Sequence, residues 1–332
     1  MLNSLIIMDL NFVNEVYDED SQARISELTY LKCGPISRDK LLNDPNILAD
    51  VDIIFSGWQA PYFDEMLLEC APNLKIVFYA AGSINKVVSD AFWKRGVLIC
   101  AANSVNAIPV AEYTLAATIM GLKHSVSHHH QVRTNKQYQP ANEMVIIGGY
   151  RAKIGLLSLG AIAQTLIKYY QMFDYEVVVY DPYASDALAA SLNVTLVSME
   201  DIFTSCDVVS VHTPLLDATR HMINKEHFLM MKENATFINT ARGAIIKEDE
   251  MIEALKIRSD IEAYIDVTDP EPPLKDSPLF KMNNVFLTPH IAGSLGNELA
   301  RMGALMVSEL EHYLKDEPLE HHISEAMFEV MA

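Results

Sequence analysis

Three residues, each just beyond an apolar run, carry side chains that could do chemistry. Arg242 stands in Asn239-Thr240-Ala241-Arg242-Gly243, Glu271 in Asp266-Val267-Thr268-Asp269-Pro270-Glu271-Pro272, and His290 in Thr288-Pro289-His290-Ile291-Ala292-Gly293. A guanidinium is a planar, permanently charged fork of donors that fits a carboxylate. An imidazole gives or takes a proton near neutral pH, and a carboxylate beside it favours the imidazolium. Together these groups suit acid–base work on a small anionic substrate. Singly, each has a plainer reading: the arginine as a salt-bridge or capping group, the glutamate as a loop charge, the histidine as a polar cap.

A fourth segment could hold a cofactor. Ser158-Leu159-Gly160-Ala161-Ile162-Ala163 falls where a strand should end and a helix begin. It follows the dinucleotide-binding pattern GxGxxG/A with serine in the first place, glycine in the second and alanine in the third. Free N–H groups at such a helix start attract phosphates. If the first position needs a positive φ, Ser158 is sterically penalised there. The next predicted strand ends in Asp181, about 20 residues on, where an acid can take a ribose 2′-hydroxyl and would repel a 2′-phosphate. No arginine follows Asp181 in Pro182-Tyr183-Ala184-Ser185, so the expectation is NAD and not NADP.

These residues need a scaffold, and the hydrophobic pattern supplies one. Short apolar runs at 5–8, 51–55, 74–79 and 97–101 alternate with helix-length segments, the βα rhythm of a parallel sheet covered on both faces. A long helix with Pro109 in its first turn comes next, then a polar loop over residues 125–149. The rhythm restarts at Lys153, with strands expected at 176–180, 208–211, 236–239, 261–267 and 285–287. A last helix, 297–314, carries Leu299, Met302, Met306, Leu310 and Tyr313 on one stripe. Each candidate residue thereby lies at the C-terminal end of a strand, where open α/β sheets bind ligands.

Composition narrows the partners. The chain has 332 residues, half of them hydrophobic, with 25 Lys and Arg against 44 Asp and Glu, a net charge of −19. That length suggests two domains. That charge disfavours sequence-independent nucleic-acid binding and docking on anionic membranes, so neither partner is expected. No apolar stretch of about 18–20 residues is evident, the N-terminus lacks a basic leader, and four scattered cysteines read as free thiols, so a cytoplasmic protein is expected. His128-His129-His130 is read as a surface or dimer-contact run, as are His321 and His322, and no metal is expected.

In combination and order, the three downstream motifs closely resemble the D-isomer-specific 2-hydroxyacid dehydrogenase family, over about residues 74–294. The resemblance implies two Rossmann-like or flavodoxin-like parallel-sheet α/β domains with a cleft between them. Residues 1–102 plus 298–332 would form the substrate domain, and 103–297 the NAD-binding domain, through which a homodimer would form. It puts Arg242, Glu271 and His290 on the catalytic positions. Arg242 would bind and polarise a 2-oxo acid, His290 would act as acid and base, and Glu271 would tune His290. Asp266 would hold the nicotinamide amide, Thr213 and Pro214 the nicotinamide ribose, and Ala161 and Ile162 the phosphates. Ser158, Gly160, Asp181, Thr240, Ala241, Arg242, His290 and Gly293 complete the implied cofactor contacts. The backbone of Ala81 and Gly82 would hold the substrate carboxylate.

Two positions depart from the family pattern: Ser158, and Ile84, where many relatives carry Asp. Trp58 and Tyr79 could line a side-chain pocket or simply pack in a core. An alternative is an NADH-sensing, co-repressor-like binding protein of the same fold with little turnover. Formate dehydrogenases of this family carry Gln where Glu271 stands. A phosphoglycerate enzyme is disfavoured because Lys86 is the only basic residue close to the Ala81–Gly82 loop and no regulatory extension is expected after the last helix.

Overall fold

The structure, a computed structural model, describes residues 1–329. Residues 330–332, at the end of the expected segment 298–332, lie outside those described. The chain divides into two units, one of Met1–Asn106 with the chain from Ser294 onward, the other Ala107–Gly293.

The first unit is built on five parallel strands, β1 (Asn3–Ile7), β2 (Tyr30–Leu31), β3 (Ile53–Ser56), β4 (Ile76–Tyr79) and β5 (Leu98–Ala101), in the order β2-β1-β3-β4-β5. Successive side chains of a strand point to opposite faces. Leu5, Ile54, Val77 and Ile99 accordingly join one apolar cluster, and Ile6, Phe55 and Phe78 the other. The second cluster is closed by Leu299, Met302, Met306 and Leu310 of the helix Leu299–Leu314. Trp58 and Tyr79 pack with these cores, Trp58 edge-on to Phe12. Ile84 is buried in the same core as Val87 and Val88.

The second unit holds seven parallel strands, β6 (Lys153–Leu157), β7 (Glu176–Tyr180), β8 (Thr195–Leu196), β9 (Val208–Val211), β10 (Thr236–Asn239), β11 (Glu262–Ile265) and β12 (Val285–Leu287). Their order is β12-β11-β10-β9-β6-β7-β8. The chain leaves β6 toward β7 on one side and returns to β9 on the other. That reversal is the switch point where doubly wound sheets bind ligands beyond their strand ends.

Three expectations need correction. The long helix runs Asn103–Leu122, so Pro109 lies well inside it and not in its first turn. With 20 residues and a mean hydropathy of 1.2, it is long and apolar enough to cross a bilayer by length and composition, contrary to the expectation of no such stretch. Half of this apolar stretch is buried in the protein, where Thr114 and Thr118 hydrogen-bond to Thr240 and Tyr170. The 125–149 segment is not all loop, because Ser125–Asn135 is a helix carrying His128, His129 and His130. No residue of that helix is buried, so no apolar period marks it. Its start is capped instead by the buried Glu262 carboxylate, which accepts from the Ser127 amide and hydroxyl at 2.9 and 2.8 Å. The two-residue edge strands β2 and β8 are also additions to the expected set.

Candidate active site

The turn after β6 shows why its first position matters. Ser158 has a φ of +82°, the left-handed region that glycine occupies without penalty. Its amide donates to Tyr180 O at 2.8 Å. Asp181, at the end of β7, accepts from Leu159 N at 2.7 Å and Ser158 Oγ at 3.3 Å on one oxygen. Its other oxygen accepts from the amides of Tyr183 and Ala184. The acid proposed for a ribose thus also clamps the turn. Gly160 precedes the helix Ala161–Tyr170, and a Cβ built on it would meet nothing within 4 Å among the described residues. The amides of Ala161, Ile162 and Ala163 donate to nothing among the described residues, the ordinary state of a helix start and the one that receives phosphate.

Beyond β9, Thr213 Oγ1 donates to Leu157 O at 3.3 Å, tying its loop to the end of β6. Neighbouring His212 is buried, with Nε2 3.0 Å from Ser210 Oγ and Nδ1 lacking a partner among the described residues. Burial pushes its pKa down to about 4, so the ring is neutral at pH 7.

Asn239 ends β10 and shapes the arginine loop. Its Oδ1 accepts from Ala241 N at 3.0 Å, and its Nδ2 donates to Arg242 O at 3.2 Å. Gly243 is required by close approach, since a Cβ there would lie 2.1 Å from the Thr268 backbone. The Arg242 loop therefore rests directly on the loop leading to Glu271. Arg242 is partly buried, and desolvation lowers its pKa while the Glu271 charge opposes that shift. With so high a reference value, guanidinium stays charged.

His290 is held beside both Asp266 and Glu271. Glu271 Oε1 lies 2.7 Å from His290 Nδ1, with both side chains nearly half exposed. His290 Nε2 makes no hydrogen bond among the described residues. His290 also has a φ of +55°, a strained conformation costing roughly 1–2 kcal/mol for an L-residue. Asp266, 2 % exposed, holds the segment that bears it. Its carbonyl accepts from His290 N at 2.9 Å. Its carboxylate accepts from Thr288 Oγ1 at 2.6 Å and from the amides of Ile291 and Ala292 at 2.9 Å each. Gly293 follows directly. A mostly apolar cavity of about 780 Å³ borders Glu271 and His290, walled by Pro272, Phe280, Met282 and Phe286. Arg242 is not in its wall.

In the first unit, the loop after β4 offers less than expected. Ala81 N donates to Tyr79 O at 2.8 Å and is already used, whereas the Gly82 amide donates to nothing among the described residues. His128 Nε2 lies 2.9 Å from Val145 O, and His321 Nδ1 3.2 Å from Ser104 Oγ.

Sequence reasoning passes over Asn239, Thr288 and Tyr113. Asn239 was visible as an amide at a strand end. The hydroxyls of Thr288 and Tyr113 gave no signal, because what they touch is distant in the chain.

Residues 115–292, more than half of the chain, match the family model for the D-isomer specific 2-hydroxyacid dehydrogenase NAD binding domain. A glyoxylate reductase from Thermofilum pendens is 31% identical over 290 residues, covering 86% of this chain and 84% of the relative. A D-3-phosphoglycerate dehydrogenase from Archaeoglobus fulgidus is 29% identical over 261 residues, covering 79% of this chain and 49% of the relative. The chain spans about half the length of the phosphoglycerate dehydrogenases it matches. The fold is shared with the D-mandelate dehydrogenase of Rhodotorula graminis, at a TM-score of 0.80 and 22% identity over 98% of each chain.

Proposed function

Because the chain belongs to the D-isomer-specific 2-hydroxyacid dehydrogenase family, we propose that it interconverts a small 2-oxo acid and the D-2-hydroxy acid, with Arg242, Glu271 and His290 as its catalytic groups. Its NAD-binding domain spans residues 115–292. The open space at Gly160 and the free amides from Ala161 fit a pyrophosphate, and Asp181 fits an adenosine ribose lacking a 2′-phosphate. In this reading Thr213 and Pro214 border the nicotinamide ribose, with Thr240, Ala241 and Gly293 beside them. NAD, when bound, supplies the hydride acceptor, and NADH the hydride donor.

The protein's share is binding and proton movement. Arg242 takes the substrate carboxylate in its donor fork and withdraws charge from the adjacent carbonyl. In the first unit, the Gly82 amide donates to nothing among the described residues and is available to an anionic group, with Ala81 shaping its loop. His290 donates the proton from Nε2 to the carbonyl oxygen as that oxygen gains charge, and accepts it in the oxidative direction. Glu271 holds Nδ1 and stabilises the imidazolium. Each reduction consumes one NADH and one proton and yields one NAD and one hydroxy acid.

The 2.7 Å pairing of Glu271 with His290 Nδ1, leaving Nε2 unbonded, carries this reading. Exposed Tyr138, Val145, Ile146, Ile147 and Tyr150 in the second unit support a homodimer formed through the NAD domain. The unpaired cysteines suit a reducing cytoplasm. The test is NADH consumption against glyoxylate, pyruvate, hydroxypyruvate and bulkier 2-oxo acids, with NADPH in parallel. Turnover of at least one acid with NADH is expected; no turnover across the panel with either cofactor overturns the proposal.

A further inference from the structure

Tyr113, in the helix Asn103–Leu122, has its hydroxyl 2.8 Å from Thr288 Oγ1. Thr288 uses its one proton on Asp266 Oδ1, at 2.6 Å, because an ionised carboxylate only accepts. The first bond must therefore run from Tyr113 to Thr288, giving a directed chain from phenol to hydroxyl to carboxylate. Burial raises the Tyr113 pKa, with the Thr288 hydroxyl opposing and the Asp266 charge adding, so this donor stays protonated. The chain ends on the residue that grips the amides of Ile291 and Ala292 on one flank of His290, as Thr288 lies on the other. Two bonds reach Oδ1 and one reaches Oδ2, so of about four acceptor sites one on Oδ2 remains open for a ligand amide.

We propose that Tyr113 and Thr288 are positioning residues: through Asp266 they hold His290 in its left-handed conformation, so that Nδ1 stays on Glu271 and Nε2 stays free. The inference rests on the acid–base role proposed for His290. A conformation unfavourable for a histidine persists only when its surroundings impose it. Around His290 the imposing groups are the Asp266 carbonyl and carboxylate, and the carboxylate is itself oriented by the two hydroxyls.

The test compares Thr288→Val, which keeps shape and loses the hydroxyl, with Thr288→Ser, which keeps the hydroxyl, and with Tyr113→Phe. The first readout needs no turnover: the downfield proton resonance of the Nδ1–H bond to Glu271, identified by its loss in His290→Gln. It should vanish or broaden in Thr288→Val and persist in Thr288→Ser. With an active substrate, kcat should fall about tenfold or more in Thr288→Val, the scale of a small misplacement of a catalytic group, and its pH profile should move. Thr288→Ser should restore kcat. A retained resonance with unchanged kcat in Thr288→Val, or equal damage from Val and Ser, overturns the proposal. Should Thr288→Val fail to fold, Tyr113→Phe decides, and an unaltered resonance there is the contrary result. Inactive wild-type protein would refute the proposed function alone, since the resonance reads the positioning separately.

Discussion

Asp181 reaches back across the turn to Ser158, accepting from its hydroxyl at 3.3 Å and from the next amide at 2.7 Å, while Ser158 itself sits at a φ of +82°. The amide bond is the shorter of the two, and the serine side chain adds a long contact to a strained backbone. Ser158→Gly should therefore stabilise the protein by about 0.5–1 kcal/mol in urea unfolding, without weakening NADH binding. A loss of stability would show that the hydroxyl contact outweighs the strain.

Mutation should expose together the hold of Asp181 on the turn and the ribose role proposed for it. Asp181→Ala should weaken NADH binding about tenfold, reduce the discrimination against NADPH, and destabilise the fold by about 1–3 kcal/mol through the orphaned Leu159 amide. Fluorescence titration with both cofactors, alongside denaturation, separates the effects. Unchanged preference for NADH would remove Asp181 from the ribose site.

His212 should make the fold sensitive to acid. Its folded pKa is depressed to about 4 from an ordinary 6.5, so between those values the unfolded chain binds the additional proton. The stability it contributes is complete above about pH 6.5 and is lost as pH falls toward 4, on the order of 3 kcal/mol over the window. Urea unfolding of wild type and His212→Gln across this range should show the wild type losing more. Parallel curves would contradict a buried neutral ring.

Gly243 sets the approach of the arginine loop to the Thr268 backbone. Gly243→Ala should cost about 2–3 kcal/mol, because the methyl would meet backbone that cannot rotate away. Catalysis should fall with it, as Arg242 is displaced. A stable, fully active Gly243→Ala protein would mean that the two loops are not held together as described.

How much of this was legible in the sequence depended on how far apart the interacting groups lie. The parallel sheets followed from local apolar runs, and the strain at Ser158 from one residue in a glycine position. The helix Ser125–Asn135 was hidden, because none of its residues is buried and its cap, Glu262, lies 135 residues away. The Tyr113–Thr288 bond spans 175 residues, and no local pattern announces it. The Ala81 amide, implied as a substrate contact, is taken by Tyr79 O two residues back, a turn geometry that residue types do not reveal.

The most direct test is the turnover of 2-oxo acid by His290→Asn beside the wild type, with NADH affinity measured on both. Loss of a positioned acid–base group should lower kcat by roughly 10²–10⁴-fold while NADH binding persists. Equal turnover by the two proteins would contradict the assignment of His290 as the proton carrier.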